Sequence, residues 1–217
     1  METQRPDSIA PAYGSRVRTA AAIAVACVCG WFTMELEILG VRMLAPYFGS
    51  AVYVVTGSVI GTFLLSLAAG YLLGGWLSGG SSSGFLLGLF IASAGAWTGV
   101  LPFLTGPVCD WIFERGLDEK WGSLLAALAL FAVPTVLLGT VSPTVVRWLT
   151  CRAEEAGFSA GLVLALSTAA SFAGCVVTAF YLILYSMRLT LTVSGVILAV
   201  LGLCILSVSF LQRSKHA

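Results

Sequence analysis

Six stretches of the chain are each long and apolar enough to cross a lipid bilayer: about 18–44, 51–78, 84–106, 121–149, 158–186 and 189–211. Inside hydrocarbon no water is present to satisfy backbone N–H and C=O groups. A segment of roughly 20 apolar residues therefore crosses as an α-helix, whose backbone bonds close within the segment. The expected fold class is an all-α integral membrane protein of six transmembrane helices. Composition agrees: 59% of the 217 residues are hydrophobic and 10% are charged, where a soluble domain carries roughly 25% charged residues. The organisation read from these runs is an N-terminal segment at 1–17, a transmembrane domain at 18–211 and a tail at 212–217. Residues 1–16 are polar, with Glu2, Arg5, Pro6, Asp7 and Pro11. No small-residue cleavage site follows the first apolar run, so that run reads as a retained span.

The connections are short. They fall at 46–50, at 78–84 (SGGSSSG), at 107–120, at 151–157 and at 185–188. Alternating spans place Arg5, Arg16, Arg18, Arg147, Arg152, Arg213 and Lys215 on one side, and Arg42, Arg115, Lys120 and Arg188 on the other. The basic excess marks the cytoplasmic side, so both termini are expected in the cytoplasm, in a bacterial inner membrane. Trp111, within the acidic 107–120 segment, and Trp121, just after it, suit the opposite interface. Glycines spaced by four, Gly57 and Gly61, Gly70 and Gly74, Gly84 and Gly88, Gly95 and Gly99, predict close helix packing. Pro134 predicts a kink in the fourth helix, and Pro46 an end to the first.

Several function classes drop out. A net charge of +1 offers no surface for nucleic acid. The cysteines, Cys27, Cys29, Cys109, Cys151, Cys175 and Cys204, form no CxxC or Cys/His group, and the single histidine is His216. Neither a metal nor a cofactor is expected. Ser167 and Thr168 have no base nearby in sequence, which argues against an intramembrane enzyme.

The stretch MELEILGVRMLAPYFGS (34–50) stands apart, because it carries charge into a span. With the first helix centred near Trp31, Glu35 lies roughly 6 Å and Glu37 roughly 9 Å beyond the centre, and Arg42 reaches the outer boundary. A carboxylate at such depth costs roughly 2.5–3.5 kcal/mol to insert. Glu35 and Arg42, seven apart, share a face to within about 20°, whereas Glu37 points roughly 200° from Glu35. One glutamate is expected to face the bundle interior. The other faces a neighbouring subunit, a polar pocket or the headgroups. Two uses fit the set Glu35, Glu37 and Arg42. One is a structural clamp to a hydroxyl on another helix. The other is a cation or proton site.

The segments ELEILGVRMLAPYFGSAVYVVTGSVIGTFLLSLAAGYLLGG (35–75), LLGTVSPTVVRWL (137–149) and GFSAGLVLALSTAASFAGCVVTAFYLI (157–183) together resemble the membrane region of the fused major-facilitator/spermidine-synthase proteins. The resemblance covers roughly residues 31–190 and implies a bundle like half of a major-facilitator transporter, with a link to polyamine metabolism. Its signature positions in this chain are Glu35, Arg42, Pro46, Tyr47, Phe48, Gly49, Gly61, Gly70, Gly75, Ser142, Pro143, Arg147, Ser167 and Thr168. Two departures matter. The chain carries no Gly-rich nucleotide loop or acidic catalytic segment, so the synthase chemistry of that family is not expected on it. The 78–84 turn lacks the Asp and Arg common there. The expected function is a non-catalytic membrane subunit or scaffold, with the lipid bilayer and either partner proteins or further copies of the chain as partners. The alternative is a small transporter or channel for a cation or polyamine, possible as a homodimer.

Overall fold

A computed structural model of the chain describes residues 13–79, 83–150 and 156–214, with side chains described over 17–79, 83–150 and 156–211. Arg5, Arg152, Lys215, Cys151 and the terminal segments before 13 and after 214 lie outside the described residues, as do the side chains of Arg16 and Arg213. Among the described residues there is no strand, and six helical runs are long and apolar enough to span a membrane. The chain is an all-α, six-helix membrane protein.

Helix α1 covers Tyr13–Phe48. A π-helical segment, Tyr53–Ile60, leads into α2, Gly61–Leu77. Helix α3 covers Ser83–Glu114, α4 Glu119–Gly139 and α5 Val141–Leu149, the last two sharing one span. Helix α6 covers Ala156–Phe180, and a 3-10 turn, Leu182–Leu184, links it towards α7, Met187–Ser214.

Several boundaries differ from the sequence reading, each for a physical reason. Pro46 lies inside α1 and does not end it. Its ring sits exposed in the last turn, and the helix stops at Phe48, where Gly49 takes φ +76°. The 107–120 segment is not a loop, because α3 continues through Pro107 to Glu114. Its last turns carry Asp110 and Glu114 on exposed positions, which imitates loop composition. The turn itself is short and closes at Gly116, φ +65°. Helix α4 runs unbroken through Pro134. The interruption falls at Thr140, whose N–H bonds Leu137 O in a tighter turn just before Pro143 removes the donor that Gly139 O would have received.

Contacts at the two ends confirm an up-and-down arrangement. Phe48 stacks on Phe113, Tyr53 bonds Glu119, and Arg42 reaches Ile183 O at one end. Trp148 bonds Ser83, Arg147 lies over Gly79, and Ser209 packs at Gly84 at the other. The dominant packed pairs are α3 with α7, α1 with α6, and α2 with α4. All three rest on small residues. On α3, a Cβ at Gly95 would strike Ala199 N and Gly195 O, and one at Gly88 would lie 2.8 Å from Leu206 N. On α2, Gly70 abuts Val136 O and Gly139, and Gly74 abuts Thr140. Between α1 and α6, Gly174 lies against Trp31, and Gly30 against Ser167 and Ser171. Gly99 takes part from the other side: a Cβ on Gly195 would meet its N at 2.5 Å. Gly57 and Gly61 do not belong to this set. Gly57 has nothing within 4 Å of an added Cβ, and Gly61 only Thr56 O at 3.7 Å. Their spacing matches a packing motif, but neither makes a close contact with a neighbouring helix.

Candidate functional site: a polar layer at mid-membrane

Two hydrophobic clusters fill the bundle. One holds Leu36, Leu44, Phe63, Leu101, Phe131 and Leu191. The other holds Cys29, Ile91, Ala94, Leu138 and Leu198. In four helices a buried polar residue falls between the two: Glu35 in α1, Thr98 in α3, Thr135 in α4 and Ser194 in α7. Glu35 lies roughly 4 Å from the midpoint of the α1 span at 1.5 Å per residue, and only 2% of its surface is exposed. Hydrophobic packing alone cannot hold a carboxyl group there, so hydrogen bonds must.

Two such bonds are present. Trp31 Nε1, one turn earlier on α1, donates to Glu35 Oε2 at 3.3 Å, and Ser194 Oγ donates to Oε1 at 2.5 Å. Both carboxyl oxygens thus have a donor, one from its own helix and one from α7. The other hydroxyls at this level mostly bond back into their own helices: Thr98 to Ala94 O and Thr33 to Cys29 O. Thr135 Oγ1 is fully buried and has no partner among the described residues.

Pro134 adds a second feature. Lacking an N–H, it leaves Leu130 O without its helical donor. Trp97 Nε1 on α3 donates to that oxygen at 2.9 Å, which ties α3 to α4 across the proline. Pro134 in the sequence implies the orphan carbonyl, but nothing local points to Trp97 as its donor.

Glu37 has a different environment. It is half-buried and makes no hydrogen bond or ion pair among the described residues. Gly30, one heptad earlier and within about 20° of the same face, touches Ser171 of α6. Ser167 donates to Ala26 O, and Arg42 to Ile183 O. All three pairs are 141 positions apart, so α1 and α6 run parallel in one register. The same offset sets Thr178 at the level of Glu37. Thr178 is fully buried and its hydroxyl has no partner among the described residues. The glutamates therefore separate as their spacing requires, Glu35 towards α7 and Glu37 towards α6. Arg42 does not meet Glu35. It is exposed and reaches the α6–α7 connection.

The remaining signature positions scatter. Pro46 and Gly49 are exposed, Tyr47 is half-buried and packs at the edge of the first cluster, and Phe48 is buried within it. On α6, Ser167 is buried against α1 and Thr168 is exposed. Ser142, Pro143 and Arg147 line an open cleft of about 430 Å³ together with Tyr71, Gly75 and Leu164. Neither this cleft nor a cavity of about 10 Å³ beside Ser78 and Thr140 is lined by Glu35. Among the described residues no group of His, Cys, Asp and Glu could hold a metal, and the five described cysteines are unpaired.

The basic residues sort as the alternation requires. Arg18 and Arg147 lie at the end that holds the start of α1, and Arg42, Arg115, Lys120 and Arg188 at the other. No family model, curated protein or solved structure matches the chain.

Proposed function

We propose that the chain is a non-catalytic integral membrane subunit, with Glu35 as an internal clamp between α1 and α7. The observation that carries this reading is the closure of both Glu35 oxygens by Trp31 and Ser194, in a spot that neither described cavity reaches. A carboxyl group held this way has each of its oxygens engaged by a donor of the fold. The proposed relationship to the membrane region of the major-facilitator/spermidine-synthase proteins draws support from the helix pairing. Numbered as spans, the dominant pairs are one with five, two with four and three with six. Exchanging the first three spans with the last three leaves that set unchanged, as an inverted repeat does. The basic excess supports cytoplasmic termini in a bacterial inner membrane.

The test has two arms. Purification in mild detergent is expected to yield a second chain in fixed stoichiometry, and reconstituted vesicles are expected to pass monovalent cations and polyamines no faster than protein-free ones. A lone monomer from native membranes would count against the subunit reading.

One observation favours the transporter as a second reading: Glu37 and Thr178 share a level on facing helices, both without partners among the described residues. Saturable flux that disappears in Glu37→Gln but survives Glu35→Gln would establish it and overturn the first.

A further inference from the structure

The cleft between α2, α5 and α6 lies away from the polar layer and has a chemistry of its own. We propose that it binds an anionic phospholipid, with Arg147 anchoring the phosphate. Arg147 is exposed near the end of α5, and its guanidinium lies across the end of α2, where a Cβ on Gly79 would come within 3.2 Å. Among the described residues no carboxylate or carbonyl accepts from it. A guanidinium so placed presents a planar fork of donors, and a phosphodiester is its bidentate partner. Ser142 and Thr150 line the same cleft and add hydroxyls.

The rest of the lining selects a lipid over a soluble anion. Val146, Leu164 and the Tyr71 ring make most of the wall apolar, and a free phosphate would bury nothing against it. A lipid would lay its glycerol and upper acyl chain there. Depth agrees. Trp148, next to Arg147 and 40% exposed, sits where indole rings prefer the interface, at the level of headgroup phosphates. Tyr71, two turns before Ser78 on α2, reaches the hydrocarbon beneath. Gly75 keeps the α2 wall open, with no atom within 4 Å of an added Cβ.

Native mass spectrometry of the delipidated, detergent-solubilised protein tests this with phosphatidylglycerol, phosphatidylcholine and inorganic phosphate as probes. Wild type is expected to retain phosphatidylglycerol in preference to phosphatidylcholine. Arg147→Gln is expected to hold it roughly five-fold more weakly, as loss of one interfacial cation implies, and Arg147→Lys to recover part of that. Gly75→Leu fills open space, so it is expected to expel the lipid without lowering thermal stability. It also carries the test if Arg147→Gln fails to fold. Unchanged phosphatidylglycerol retention in both Arg147→Gln and Gly75→Leu would overturn the proposal, as would equal retention of phosphatidylcholine. Competition by millimolar inorganic phosphate would assign the site to a free anion and overturn the lipid.

Discussion

The α3–α7 and α1–α6 interfaces both rest on small residues, yet at Gly30 the second is built from different atoms. Between α3 and α7 the backbones themselves touch. Gly95, Gly195 and Gly202 leave no room for a Cβ, because the nearest opposing atoms are amide nitrogens, carbonyl oxygens and α-carbons. Between α1 and α6 the gap at Gly30 is occupied by the hydroxyls of Ser167 and Ser171. Further along, Glu37 and Thr178 share a level without bonding. Backbone atoms cannot rotate away, whereas hydroxyls can turn and find new partners. The first contact is a rigid seam fixed by dispersion and shape. The second meets backbone at Gly174, which lies against Trp31, but around Gly30 it is a polar seam that can rearrange.

The largest effect should come from breaking the rigid seam. Gly195→Ala places a methyl 2.5 Å from Gly99 N and 2.7 Å from Gly95 O, so the two helices must part along their length. A cost of about 3 kcal/mol is expected, at the upper end for overpacking, read as a large fall in thermal midpoint or loss of folded protein in detergent. The matching change on the polar seam is Gly30→Ala. Two of its three close atoms are serine hydroxyls, at 2.7 and 2.8 Å, and the third is Ser167 O at 2.9 Å. Rotation of the serines absorbs part of the strain, so about 1.5 kcal/mol is expected. Equal costs for the two substitutions would erase the distinction between the seams.

How far the sequence reveals these seams depends on the distance over which each signal acts. Hydropathy is local, and it places all six spans because a bilayer demands length and apolarity of each segment alone. Boundaries blur where a helix outlasts the hydrocarbon. The end of α3 carries Asp110 and Glu114 on an intact helix and so resembles a loop. Glycine spacing identifies Gly70, Gly74, Gly95 and Gly99, but it cannot tell them from Gly57 and Gly61, which make no close helix contact. Angular spacing separates Glu35 from Glu37. It cannot name Ser194, which lies 159 positions away. Partners across the bundle depend on tertiary register, and no local pattern encodes that.

A third prediction sets a directional bond against both seams. Trp97→Phe keeps the ring near its place and removes the N–H that satisfies Leu130 O beside Pro134. Hydrogen bonds in membrane proteins contribute modestly, and a buried carbonyl left without a donor costs somewhat more. A loss of about 1 kcal/mol is expected. The companion variant Pro134→Ala restores a helical donor to Leu130 O, so Trp97→Phe should cost less in that background. A double-mutant cycle on thermal or denaturant unfolding measures the difference. An unchanged cost would mean that the indole acts by packing alone.

The smallest effect tests the polar seam where it is least satisfied. Thr178→Val exchanges a buried hydroxyl without a partner for a methyl of the same shape. Removing an unpaired polar group from an apolar setting should leave stability unchanged or raise it by about 0.5 kcal/mol. Ser167→Ala on the same face of α6 removes a hydroxyl that does bond, to Ala26 O at 3.2 Å, and is expected to lower stability by about 0.6 kcal/mol. Opposite signs for two neighbouring hydroxyl deletions would establish that the seam is tight at Ser167 and open at Thr178. If Thr178→Val instead destabilises as much as Ser167→Ala, its hydroxyl and Glu37 have a shared partner. The α1–α6 contact is then satisfied along its whole length, and its contrast with α3–α7 reduces to side-chain against backbone packing.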